Sequence, residues 1–156
     1  MSEPGAQFLE VREHLGSGYQ PLVDFATWRV AILNFAGDLR VENITRMQRH
    51  NETDEVFVLL KGRCILFIGE GEETVTTLHA VELKPQKLYN VRKAVWHHHT
   101  LSEDAMVLVV ENFDTTYDNS PFRDLSDRQQ EELREFTRKL WPSGAVMPPT
   151  PGLATS

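Results

Sequence analysis

The sequence predicts an all-β fold, an antiparallel sandwich or barrel of short strands with one C-terminal α-helix. Two observations predict the strands. Short runs rich in Val, Ile, Leu, Phe and Thr recur between residues 27 and 115, separated by Gly-, Asn- and Asp-containing turns. No helical periodicity interrupts them, which disfavours a parallel α/β arrangement. A third observation predicts the helix: "LSDRQQEELREFTRKLW" alone repeats its apolar residues at helical spacing.

The elements follow in order. "TWRVAILNF" (27–35) reads as a strand and "AGD" as the turn after it; "NITRMQRH" then alternates. "EVFVLL" and "RCILFIG" are strands that Lys61-Gly62 is expected to join as a two-residue hairpin. After the turn "GEGEE" come "TVTTLHAVEL", "KLYNV", "HHHTL" and "AMVLVVEN", the last rich in β-branched residues. At the helix start, Ser126 and Gln129 have capping-box spacing, and Leu133, Phe136 and Leu140 form a narrow apolar stripe. The balanced charge of the helix implies a solvated face, with the other side packed on the barrel. The expected organisation is an N-terminal arm (1–26), a barrel (27–115), an extension carrying the helix (116–141) and a tail (142–156) of disordered composition.

A chain of 156 residues makes one domain with a real core. Sixteen Lys and Arg against 23 Asp and Glu give a net charge of −7, which argues against nucleic acid or an anionic membrane as partner. No apolar run approaches the roughly 20 residues that span a bilayer, and "MSEPGAQF" lacks the apolar stretch of a signal peptide. The single cysteine, Cys64, fits a reducing compartment. The expectation is a soluble cytoplasmic protein.

The chemistry concentrates in "QRHNETDEVFVLLKG". Alternation puts Arg46, Gln48 and His50 on one face of a strand. "NETD" is a short connection, and Glu55 opens the next strand. Neighbouring strands lie about 4.8 Å apart, so His50 and Glu55 can meet across the gap. In "KAVWHHHTL", His97 and His99 point to one face and His98 to the other. Two imidazoles and a carboxylate converging inside a barrel suit Fe, Mn, Ni, Zn or Co. Histidines beside acidic residues are also common on plain surfaces, and spacing alone leaves both readings open.

The motifs add a resemblance. His50, four intervening residues, Glu55, six intervening residues and Gly62 resemble the second half of the first cupin motif. The stretch from Leu83 through "VRKAVWH", ending at His97, resembles the second motif. The likeness covers residues 43–112, and "TDEVFVLLKGRCILFIG" is typical of small single-domain cupins. It implies a double-stranded β-helix, a jelly-roll-like barrel with ligands lining its wider mouth. Aligned on Gly62, the divalent metal would be held by His50, Glu55 and His97. Gln48 stands at the family's first histidine, as a fourth group. Arg92 and Ala94 stand where proline and glycine are usual. Reading His50 as the first ligand and Glu52 as the second would shorten the gap to Glu55 below the family's spacing.

Around that centre, an inward Arg46 would hold a ligand carboxylate or phosphate, or would pair with an inward acid such as Glu111. Tyr89 and Trp96, with Trp28 and Phe57, are candidates for the cavity wall, or for plain core. His99 would replace the missing imidazole or touch the ligand, or would lie one step deeper and hydrogen-bond a neighbour such as Tyr89 or Glu111. His98 would be structural or in a subunit contact. Both faces of "EVFVLLKG" are apolar, and in small cupins a second subunit covers the outer one, so a homodimer is expected. The function expected is metal-dependent binding of a small carboxylate- or carbonyl-bearing molecule, with lyase, isomerase or dioxygenase activity. The competing class is a binding or sensing module without turnover.

Overall fold

Strand alternation decides which side chains meet, and it sorts this chain into two sheets with a core on each side of one of them. The computed structural model describes residues 4–142. Its strands are β1 (Gly18–Phe25), β2 (Trp28–Asn34), β3 (Arg46–Gln48), β4 (Glu55–Lys61), β5 (Cys64–Glu70), β6 (Thr77–Glu82), β7 (Leu88–Val91), β8 (Trp96–Leu101), β9 (Met106–Asn112) and β10 (Phe122–Asp124), followed by the helix α1 (Asp127–Leu140). Two single 3-10 turns, Gly37–Leu39 and Val41–Asn43, lead from β2 to β3. The strands form two antiparallel sheets, ordered β1-β2-β9-β4-β7 and β10-β3-β8-β5-β6. Apart from Pro142, the expected tail lies outside the described residues.

Leu33, Phe57, Leu59, Leu66, Leu101 and Val107 form the apolar cluster between the sheets. Met47, Ile65, Phe67, Trp96 and Leu133 form another on the outer side of the second sheet, where α1 covers it. Burying a side chain of this size contributes about 1.5–3 kcal/mol. The unbroken apolar run at 64–67 is thereby explained: Cys64 and Leu66 face one cluster, Ile65 and Phe67 the other. The first sheet has no helix on its outer side among the described residues. Across it, Ile32, Leu108, Val58 and Leu88 are register partners, with Val30, Val110 and Val56 in the adjacent row.

The expected hairpin at Lys61-Gly62 does not form. β4 pairs with β7 and β9, whereas β5 pairs with β6 and β8, so the connection is a corner between sheets. A register shift between Leu59 and Lys61 bends β4 first. Gly62 then takes φ +70°, and a Cβ there would lie 2.6 Å from Ala105 Cα. Only glycine fits this corner. Residues 18–25, expected within the N-terminal arm, are β1, paired along its length with β2. At the other end α1 begins as expected: Ser126 Oγ accepts from Gln129 N, and the Gln129 side chain accepts from Ser126 N.

Candidate metal centre

β3 places Gln48 opposite His97 on β8, the one register pair between those strands. His50 follows just beyond β3, and Glu55 opens β4. The turn before β8 is tied back to this segment, because Ala94 N donates to His50 O at 2.7 Å and Lys93 N to Asp54 Oδ1 at 2.9 Å. Ala94 takes φ +63°, where the family resemblance places glycine. The turn therefore forms without glycine, at a cost of about 1–2 kcal/mol for a left-handed L-residue.

The side chains of His50, Glu55 and His97 converge and are all buried, each offering a ligand atom within 4.8 Å of the others. Glu55 Oε2 lies 3.1 Å from His50 Nε2 and 2.8 Å from His97 Nε2. The far side of each ring shows which nitrogen carries hydrogen. His97 Nδ1 lies 3.0 Å from Val95 O, which can only accept, so Nδ1 is the donor. His50 Nδ1 lies 2.7 Å from Ser120 Oγ, whose own hydrogen is directed to Asn119 Oδ1, so this Nδ1 also donates. Both neutral rings thus present a bare Nε2 lone pair to a carboxylate oxygen. Three acceptors converge without a donor, and among the described residues His97 Nε2 has no hydrogen-bond partner despite its burial. A cation resolves this conflict, and rings held through Nδ1 with Nε2 bare are the usual preparation for metal ligation. The residues fit a divalent transition metal.

Without metal, a proton fills the same need. Burial disfavours a charged His50, but the hydrogen bond and charge of Glu55, with Glu111 behind it, hold its pKa above the ordinary value. Burial alone would raise Glu55; its close approach to the His50 and His97 rings outweighs it and holds the carboxyl well below its usual range. His99 is different: burial pushes its imidazole down to about 3, and it stays neutral.

Beside the cluster is a cavity of ≈ 960 Å³, lined among others by Arg46, Gln48, Phe57, His99, Glu111 and Phe122. Gln48 lines it with an amide that makes no hydrogen bond to the described residues. Arg46 is exposed at the rim and lies 4.1 Å from the Phe122 ring centre. It does not pair with Glu111, whose Oε1 accepts from the Tyr19 hydroxyl instead. His99 bonds neither Tyr89 nor Glu111: its ring packs near Phe57, and its Nδ1 is buried without a partner among the described residues. His98, on the opposite face of β8, accepts the His99 amide with its own Nδ1.

Three expected wall residues lie elsewhere. Tyr89 packs against the apolar cluster between the sheets, its hydroxyl accepting from Lys84 N. Trp96 is fully buried in the cluster under α1, with Arg49 and Arg123 over its ring. Trp28 packs on Phe25 at the sheet edge. The sequence reading missed Ser120 and Tyr19. Ser120 is 70 residues from His50, and no spacing rule connects them. Tyr19 sits in a segment whose Gly16, Gly18 and Pro21 read as arm rather than strand.

No family model matches the sequence, and no curated protein matches it. Solved structures do. Pac13 of Streptomyces, a nucleoside dehydratase, is 13% identical, with a TM-score of 0.50 over 75% of this chain and 88% of that one; a variant of it is solved with uridine. A cupin-2 domain protein of Shewanella frigidimarina is 15% identical (TM-score 0.44, covering 65% of this chain and 84% of that one). The QdtA 3,4-ketoisomerase of Thermoanaerobacterium thermosaccharolyticum, in complex with TDP, is 17% identical (TM-score 0.47, covering 73% and 75%). At these identities the likeness is one of fold. The chain is a cupin-fold protein, and among its described residues no helix is long and apolar enough to cross a membrane.

Proposed function

We propose that this protein holds a divalent transition metal through His50, Glu55 and His97, with Gln48 beside it, and uses it to bind and activate a small carboxylate- or carbonyl-bearing molecule. The observation that carries the reading is the convergence of two bare imidazole nitrogens on one buried carboxylate oxygen. A metal bound there would act as a Lewis acid toward an oxygen of the ligand. The rest is the work of the chain. Val95 O and Ser120 hold the two rings in the ligating tautomer. Arg46, stacked on Phe122 at the rim and without an ion pair among the described residues, offers its fork to a carboxylate. Neutral His99 lines the cavity wall beside Phe57. The activities that suit this arrangement are those of a lyase, isomerase or dioxygenase. The alternative, a binder without turnover, shares every one of these contacts.

Metal analysis of untagged protein tests the reading. Wild type should carry stoichiometric metal, and His50→Ala and His97→Ala should each lose it while keeping the β-sheet circular dichroism signal. Full occupancy in both variants would overturn the ligand assignment. Arg46→Ala should weaken binding of carboxylates by about 1.5–3 kcal/mol, the scale of a charge-assisted hydrogen bond. Turnover that chelation abolishes would separate enzyme from binder.

The proposed partner is a second copy. The rows Ile32–Leu108–Val58–Leu88 and Val30–Val110–Val56 make an aliphatic face without a helix over it, which supports self-association. Sedimentation of wild type as a dimer and of Val58→Glu as a monomer would bear this out; a monomeric wild type would refute it.

A further inference from the structure

We propose that Glu111 is a second carboxylate of the metal centre, acting from outside the set of direct ligands, and that the Tyr19 hydroxyl holds it in that position. The inference rests on the metal reading above. Glu111 on β9 is 7% exposed, and a buried carboxylate is costly unless its charge is compensated. Tyr19 supplies one hydrogen bond, to Oε1. Oε2 has no hydrogen-bond donor among the described residues; it lies 4.0 Å from His50 Nε2, on the wall of the cavity. The nearby cation is already engaged, since Arg29 grips Asp24 through Nε at 2.8 Å and Nη2 at 3.0 Å. Glu111 therefore shares a buried space with Glu55 and adds a second negative charge there.

A divalent cation between His50, Glu55 and His97 removes this conflict. Two neutral imidazoles and two carboxylates then balance two positive charges. Glu111 lies outside the group whose ligand atoms all approach one another, which is why its part is indirect. Its free oxygen can accept a hydrogen bond from the water or ligand hydroxyl that completes the coordination. Outer partners of this kind commonly change metal affinity by about 10–100-fold.

Glu111→Gln isolates the charge, because an amide oxygen can still accept from Tyr19. Mn(II) and Zn(II) alone are the probes, titrated in competition with a chelator against wild type, Glu111→Gln, Tyr19→Phe and His50→Ala. Glu111→Gln should bind both metals about 10–100-fold more weakly, with the melting temperature of metal-free protein unchanged or raised. Tyr19→Phe should weaken binding less. If Glu111→Gln binds as tightly as wild type, Glu111 is only the buried partner of Tyr19 and the proposal fails while the metal reading stands. If wild type binds neither metal, or His50→Ala binds both normally, the metal reading fails and takes this proposal with it.

Discussion

Ser120→Ala removes the acceptor that fixes the His50 ring, and its effect can be worked from the structure. The His50 Nδ1–Ser120 Oγ hydrogen bond is 2.7 Å long between residues only 6% and 4% exposed. Deleting the hydroxyl leaves a buried N–H unpaired, which costs about 1–3 kcal/mol. The ring can avoid that cost by moving its hydrogen to Nε2, which then donates to Glu55. In that tautomer the lone pair needed for the metal is gone. Metal affinity should fall by about 10–100-fold, the range for lost outer partners of ligating histidines, or about 1.4–2.8 kcal/mol. Competition with a chromophoric chelator for Zn(II) at neutral pH reads this directly. Asn119→Ala, which removes the acceptor of the Ser120 hydrogen and loop bonds to Thr116 N, Asp114 O and Glu52 but leaves the serine oxygen in place, should have a smaller effect on metal affinity. Wild-type affinity in Ser120→Ala, alongside lost affinity in His50→Ala, would show that the serine does not set the tautomer.

Three further outcomes follow from single residues. Gln48→His should tighten Ni(II) and Zn(II) binding, because Gln48 lies opposite His97 and imidazole is the better donor for later first-row metals; unchanged affinity for both would mean that residue 48 does not reach the metal. Ala94→Gly should stabilise the fold by about 0.5–1 kcal/mol by relieving a left-handed alanine, and a lowered denaturation midpoint would contradict the strain. Burial pushes the Cys64 thiol up to about 12, so almost no thiolate exists at pH 8 in the folded state. Alkylation there should therefore proceed at the unfolding-limited rate, and rapid labelling of native protein would show the site to be open.

The convergence of His50, Glu55 and His97 was legible because alternation and local spacing bring them together: His50 and Glu55 are neighbours in sequence, and the turn before His97 resembles a known motif. Strand positions were legible for the same reason, since side-chain faces follow from period two. Pairing was not. Lys61-Gly62 suits a hairpin locally, and only the bulge at the end of β4 and the crowding by Ala105 make it a corner. Ala94 shows the converse, a turn kept after its usual glycine is gone because His50 O and Asp54 hold it from outside. Tyr89 and Trp96 were misplaced because an aromatic on a strand belongs to whichever side offers more apolar partners. For Trp96 that side lies beneath α1, and β8 alone carries no mark of it. Glu111 was legible as an inward acid on its strand, whereas Ser120 and Tyr19 come from distant segments that only tertiary structure brings to it and to His50.

The seam between β3 and β8 has a kinetic consequence. β3 shares three register pairs with β10 but one with β8, and Leu125 N–Thr45 O and Arg49 N–Pro121 O extend its link to the β10 side. The two strands thus form a ribbon hinged on the barrel wall, with Arg46, Gln48 and Phe122 riding on it. Peeling that ribbon away would withdraw Met47 from the cluster under α1 but leave Glu55 and His97 in place on other strands. Amide exchange in β3 and β10 should accordingly outpace that in β5, β8 and β9, and a ligand bound under Arg46 should slow it selectively.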